Sequence, residues 1–181
     1  MDFVNGACDC GKYFREPSDV EPSLLRIIEG VISAISYMHS RGTIHMDIKP
    51  GNILVTPEGA PIISDLGFAK LLKVDNEHTL IGGTEGYIHP DARRFMQEFT
   101  SDPNRLRGES PRNYLKPIWD VYSLGKTILE LLRVIDAKFP KALNPYTRRY
   151  LRLMACRMLD GHNTEGERAL GLARESFQGI T

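Results

Sequence analysis

The sequence has no excess of charge of either sign: lysine plus arginine and aspartate plus glutamate both number 23, for a formal net charge of zero. So balanced a chain offers no large electrostatic footprint for nucleic acid or for an acidic membrane surface. Cysteine is scarce, and Cys8, Cys10 and Cys156 form an odd set without zinc-ligand spacing. The pair Cys8-x-Cys10 has no second pair and no clustered histidine to complete a metal site, so it is read as two unpaired thiols. No leader-like segment and no apolar stretch long enough to span a bilayer is present, which favours a reducing, soluble compartment, cytoplasmic or nuclear. Internal repeats and low-complexity segments are lacking as well.

What is there suffices for one ordinary domain core in 181 residues, and the expectation is a single domain over 1–181. Ser18-Asp-Val-Glu21 has capping-box spacing and Pro22 suits a first helical turn. Leu24, Ile28, Val31, Ile35 and Met38 then recur on one helical face until Arg41-Gly42. Ile53-Leu-Val55 and Pro61-Ile-Ile-Ser64, separated by the turn-rich Thr56-Pro-Glu-Gly59, read as a β-hairpin. From Leu66 to Pro117 periodicity is weak, and the polar stretch Thr100 to Asn113 reads as an exposed insertion, bounded as 92–118. Val121, Leu124, Ile128, Leu131, Leu132 and Ile135 form a second strong helical face. Two more helices are expected over Tyr146 to Leu159 and about Glu165 to Phe177. The fold class is therefore mainly α (α+β), a helical bundle with one small β-hairpin in its middle.

Between the first helix and the hairpin lies His45-Met-Asp-Ile-Lys-Pro-Gly-Asn52, and Asp65-Leu-Gly67 follows the hairpin directly. Taken singly, Asp47, Lys49, Asn52 and Asp65 would most often be turn residues. Together, in this order and spacing, they resemble the catalytic core of the protein kinases, with Met46, Ile48 and Leu66 where that pattern has arginine, leucine and phenylalanine. The resemblance implies the kinase large lobe, ATP and Mg2+ as cofactors, and a protein substrate. Phosphoryl transfer mostly needs positioning and charge neutralisation, so the chemistry calls for carboxylate and amide oxygens around magnesium and a base for the hydroxyl proton. By match, Asp47 is the base, Asn52 and Asp65 are the magnesium ligands, and Lys49 reaches the transferred phosphate. A lysine at that place resembles the Ser/Thr class rather than the tyrosine class, and His45 is a scaffold residue of the loop.

Gly83-Thr-Glu-Gly-Tyr-Ile-His-Pro-Asp91 resembles the end of an activation segment running over 65–91, in which Thr84 would contact the catalytic aspartate. Trp119-Asp-Val-Tyr-Ser-Leu-Gly125 resembles the start of the central helix of the large lobe. There Asp120 would brace the catalytic loop through backbone N–H groups, or serve only as a helix N-cap. His89 and Asp91 depart from the family's alanine and glutamate, leaving Arg168 as a candidate partner for Asp91. Met46 replaces the arginine that pairs with a phosphorylated activation loop in many kinases, so dependence on that switch is not expected, and Thr79 and Thr84 are not assigned as phosphosites. The segment from Asp136 to Asn144 is too short for the extra helix that usually follows the central one.

The opening Met1 to Gly6 resembles the hinge between kinase lobes, within a hinge and following helix over 1–14. Backbone groups near Asp2 and Val4 would then hold adenine, with Met1 as gatekeeper. On this reading the glycine-rich loop, strand lysine and helix glutamate of the small lobe are absent upstream, and a small lobe or regulatory chain becomes an expected partner. Three functions compete: a Ser/Thr protein kinase lobe, a catalytically silent kinase-like binding module, and a small-molecule phosphotransferase with a similar loop.

Overall fold

The computed structural model describes residues 6–72, 82–102, 115–160 and 171. In chain order these form β1 (Cys8–Asp9), α1 (Cys10–Tyr13), α2 (Val20–Ser40), β2 (Thr43–Ile44), β3 (Ile53–Val55), β4 (Pro61–Ile63), β5 (Lys70–Leu71), α3 (Pro90–Ser101), α4 (Ile118–Lys138) and α5 (Pro145–Leu159). Single 3-10 turns lie at Pro17–Asp19, Pro50–Asn52 and Leu66–Phe68.

Helices α2 and α4 each run 21 residues, and their apolar faces meet in the main core. Leu24, Ile28, Val31 and Ile35 from α2 and Leu124, Ile128, Leu131, Leu132 and Ile135 from α4 are essentially inaccessible to solvent. Leu151, Met154 and Met158 of α5 close this core from the other side. Burial of one such side chain is worth about 1.5–3 kcal/mol, so the stripe of period 3.6 is itself the main reason these segments are helical.

The hairpin β3–β4 pairs Ile53 with Ile63 and Val55 with Pro61, and its turn is closed by the Thr56 amide to the Ala60 carbonyl and the Gly59 amide to the Thr56 carbonyl, both 2.9 Å. It lies directly on α2 at Gly30, where a Cβ would come within 2.3 Å of the Pro61 ring. Two further ladders, of which the first joins the hairpin and the second is a separate two-stranded sheet, are not revealed by alternation in the sequence. β1 adds to β3 through Cys8↔Val55 and Asp9↔Leu54, and β2 pairs with β5 through Thr43↔Leu71 and Ile44↔Lys70. Strands of two residues carry no readable period, and only the fold brings their partners together.

Three local expectations are corrected. The capping box at Ser18–Glu21 does not form: Pro17–Asp19 is a 3-10 turn and the N-cap of α2 is Asp19, without a side-chain cap bond. Glu21 instead accepts the Asn144 amide at 2.6 Å and the Thr147 hydroxyl at 2.7 Å, because α5 brings donors to its carboxylate across the domain. Residues 92–101, expected within an exposed insertion, belong to α3, whose Pro90 start is capped by His89 Nδ1 accepting the Asp91 amide at 3.0 Å. Ala92, Phe95 and Met96 join a second core with Ile44, Met46, Leu115 and Trp119. Asp120 is not the N-cap of α4, which begins at Ile118 with Pro117 before it. Apart from Gly171, the expected helix over 165–177 lies outside the described residues, as do the candidate Arg168, residues 103–114 of the insertion, Met1, Asp2, Val4 and Thr79. Between α4 and α5 the link is short and carries no helix.

Candidate active site

The loop between β2 and β3 is held from below by one side chain. Asp120, fully buried in the first turn of α4, accepts the backbone N–H of His45 and of Met46, each at 2.8 Å, and His39 Nε2 at 2.9 Å. Two adjacent amides can point at one carboxylate only if the backbone turns sharply, and Met46 accordingly takes a left-handed φ of 72°. The thioether of Met46 is buried in the second core beside Trp119. Thr127, one helical turn beyond Ser123 on the buried face of α4, places its hydroxyl 3.5 Å from the Ile48 carbonyl, and Ser123 donates to the Tyr87 carbonyl at 2.8 Å. The central helix thus fixes both the loop that carries Asp47 and the segment that carries Thr84.

His45 has both ring nitrogens in use: Nδ1 accepts the Asp47 amide at 3.2 Å and Nε2 donates to the Ser64 carbonyl at 3.1 Å. It shapes the loop and has no free lone pair with which to take a proton. Ser64 in turn donates its amide (2.8 Å) and hydroxyl (3.1 Å) to the Asn52 carbonyl, which ties the end of the hairpin to the catalytic loop.

Around Asp47 three of the sequence-selected residues converge. Its Oδ1 accepts the Thr84 amide at 2.8 Å, and its Oδ2 accepts Asn52 Nδ2 and Lys49 Nζ, each at 2.8 Å. Lys49 also donates to the Thr84 hydroxyl. Asn52 Nδ2 bonds the Asp47 carbonyl at 2.9 Å as well, so its two hydrogens both go to Asp47 and its amide oxygen is the atom left to meet a cation. Burial resists the charge on Asp47, but the hydrogen bonds from Lys49 and Thr84 outweigh it and hold the carboxyl below the usual aspartate range. Gly83 makes this closeness possible, since a Cβ there would sit 2.8 Å from the Met46 carbonyl oxygen.

Asp65 is not among the hydrogen-bond partners of Asp47. It is exposed, adopts a left-handed φ of 61°, and its Oδ1 accepts the Gly67 amide at 3.3 Å. No group of three or more His, Cys, Asp and Glu able to hold a metal occurs among the described residues. The donor set is one amide oxygen and one exposed carboxylate. That suits magnesium, which keeps several waters and takes phosphate oxygens rather than a full protein cage. Asp2 and Val4, the expected adenine contacts, lie outside the described residues.

Residues 3–142 match the protein kinase domain. This chain belongs to the protein kinase family. Its similarity extends to the interferon-induced, double-stranded RNA-activated protein kinase of Rattus norvegicus, 30% identical over 112 residues, or 61% of this chain and 19% of that protein. It is also similar to the serine/threonine-protein kinase Tao of Drosophila melanogaster, 34% identical over 128 residues, 71% of this chain and 11% of that protein. A mitogen-activated protein kinase kinase of Aspergillus fumigatus is 37% identical over 121 residues, 66% of this chain and 20% of its own length. The chain thus spans a fifth or less of the kinases named here. The protein kinase domain supports the protein kinase reading, and the kinase large lobe accounts for the helical bundle with its inserted hairpin.

His39, Ser123 and Thr127 were not singled out from the sequence, although all three support the kinase loops. A signal existed for two of them: Ser123 and Thr127 interrupt the apolar face of α4 four residues apart, and a buried hydroxyl must find an acceptor. Among the described residues no helix is long and apolar enough to cross a membrane.

Proposed function

We propose that the chain carries the phosphotransfer site of a Ser/Thr protein kinase, which moves the γ-phosphate of Mg-ATP to a serine or threonine hydroxyl of a protein. The observation that carries this reading is the fixed position of the Asp47 carboxylate, held by Thr84 N, Asn52 Nδ2 and Lys49 Nζ at 2.8 Å each. A carboxyl held below its usual range is a weak base. A loose phosphoryl-transfer transition state asks mainly for an oriented hydroxyl, and Asp47 is built to orient one and receive its proton late.

Lys49, already within hydrogen-bond reach of Asp47 and Thr84, would exchange part of that contact for the transferred phosphate and bring the two reactants to one place. Thr84 would hold the acceptor side of the site, and its bond to Lys49 supports the Ser/Thr assignment. The names serine/threonine-protein kinase Tao and, in Nematostella vectensis, serine/threonine-protein kinase PLK4 support the same class. Asn52 and Asp65 would hold magnesium, which when bound with ATP neutralises the phosphate charge. Backbone groups at Asp2 and Val4 would receive adenine. Three free cysteines fit a reducing compartment, cytoplasmic or nuclear.

The test is transfer of labelled phosphate from Mg-ATP to a basic protein, by the chain alone and by the chain with a kinase small lobe fused ahead of it, followed by phosphoamino-acid analysis. Phosphoserine or phosphothreonine that disappears in Asp47→Ala is expected. Phosphotyrosine would refute the Ser/Thr class. No transfer above the Asp47→Ala background in either form would leave a kinase-like binding module as the function.

A further inference from the structure

Helix α5 buries Leu151, Met154, Ala155 and Met158 in the main core and turns its opposite face to solvent. Along that face Tyr146, Arg149, Leu153 and Arg157 follow one another at helical spacing. All four are exposed, Tyr146 at 83% and Leu153 at 54%. The charge around them has one sign. Between Lys138 and Leu159 the chain holds Lys138, Lys141, Arg148, Arg149, Arg152 and Arg157 and no acidic residue, although the whole chain is neutral. The next carboxylate is Asp160, at the C-cap of α5.

Arg148 and Arg152 share Asp136 of α4, at 2.9 and 3.5 Å. Arg149 and Arg157 have no ion-pair partner among the described residues. A helix that only meets water gains from mixing charge signs on its surface, because like charges three or four positions apart repel. α5 has no acid in its first turn and sets Arg149 three positions before Arg152. An acidic partner would therefore find cations that the fold has left unspent. A helix lying on a bilayer gives the lipid a continuous apolar face, but that face of α5 is used up in the core and the exposed one alternates apolar and cationic side chains. A phosphate backbone would engage the arginines and leave Leu153 without an apolar contact. A protein segment answers both kinds of side chain.

We propose that the exposed face of α5 docks an acidic helical segment of a partner protein, with carboxylates opposite Arg149 and Arg157 and apolar side chains against Tyr146 and Leu153. Tyr146 and Leu153 lie about 10 Å apart along the axis, and Arg149 and Arg157 about 12 Å. The matching segment thus repeats an apolar residue about every seventh position, with Asp or Glu between. None of these four residues bonds to the Asp47 site, so the docking face does not depend on phosphate transfer.

The full chain is used to select from a displayed library of helical peptides about 20 residues long, with leucine fixed at every seventh position and Glu, Lys or Ala varied at the others. The recovered peptides are expected to carry glutamate beside the leucines and to bind about tenfold tighter than scrambled versions of themselves, less so as salt rises. Arg149→Glu combined with Arg157→Glu should weaken that binding about tenfold and restore it for peptides with lysine in place of glutamate. Leu153→Asn should weaken both kinds of peptide, and Tm should stay unchanged in every variant because the altered side chains are exposed. No recovered peptide, no enrichment of glutamate, equal binding of scrambled peptides, or binding that survives the charge reversal would each overturn the proposal. Tighter binding of phosphatidylserine vesicles or of a single-stranded RNA, lost on the same reversal, would assign the face to a membrane or a nucleic acid and overturn it too. Self-association of the chain that disappears in Leu153→Asn would assign it to a second copy, with the same consequence.

Discussion

Replacing Asp120 tests whether one buried carboxylate holds the catalytic loop in place. Its two oxygens accept the amides of His45 and Met46 at 2.8 Å and His39 Nε2 at 2.9 Å, with the side chain fully enclosed. In Asp120→Ala both amides lose their acceptor in a region water does not reach, and each orphaned donor costs about 1–3 kcal/mol. The sum for the two amides is roughly 2–6 kcal/mol, a large part of the ~5–15 kcal/mol that separates a domain from its unfolded state. Asp120→Asn keeps one acceptor oxygen and sets an NH2 against the remaining donors, so it should cost somewhat less than the alanine change. Urea unfolding followed by circular dichroism is the assay. With an m-value near 2 kcal/mol per molar, a 4 kcal/mol loss moves the midpoint by about 2 M. A loss below about 1 kcal/mol in Asp120→Ala would refute the claim that these bonds anchor the loop.

Three further outcomes are expected. Lowering the pH should cost the chain stability through Asp47: its folded-state carboxyl titrates below its ordinary value, so the stabilisation is complete above about pH 4 and is lost as pH falls through the lowered folded value. Urea midpoints between pH 7 and 2.5 should therefore fall less steeply in Asp47→Asn, and parallel curves would count against the Lys49–Asp47–Thr84 linkage. Gly125→Ala should destabilise despite the better helix propensity of alanine, because its Cβ would meet Met158 Cβ at 2.9 Å and the Ala155 carbonyl at 3.0 Å where α4 crosses α5. A loss of about 1–3 kcal/mol, read as a Tm lower by roughly 3–10 °C, is expected, and a rise in Tm would show that the helices can separate at no cost. The Cys10 thiol is fully buried, donates to the Pro50 carbonyl, and is pushed up to about 12 by burial and then by Asp9. Iodoacetamide at pH 8 should therefore label the exposed Cys156 in the native chain and Cys10 only after unfolding, as followed by peptide mass spectrometry. Equal labelling rates would contradict the packing of α1 against the catalytic loop.

The sequence alone determined what is local or what depends on strict order. The apolar stripes from Leu24 to Ile35 and from Val121 to Ile135 are periodic over about three and about four turns, and a stripe of that length has one way to hide from water. The hairpin is legible because breakers separate two β-branched runs, and Asp47, Lys49, Asn52 and Asp65 stand out because their order and spacing resemble the protein kinase pattern. The family match over 3–142 agrees with the resemblance to the protein kinases.

Tertiary structure decided the rest. Nothing near Glu21 in sequence says that its carboxylate will leave its own helix end for Asn144 and Thr147, since those donors are 123 and 126 residues away. The two-residue strands β1, β2 and β5 exist only as pairings, and α3 is stabilised by Trp119 and Met46 more than by its own polar sequence. Asp120 shows the division within a single residue. Its place before an apolar helix allowed either a cap or a brace, and the choice lay with His45 and Met46, whose buried amides must find acceptors and both donate to its carboxylate. Local periodicity is fixed by neighbours along the chain, whereas a buried hydrogen bond is fixed by whichever groups the folded chain shuts away from water together.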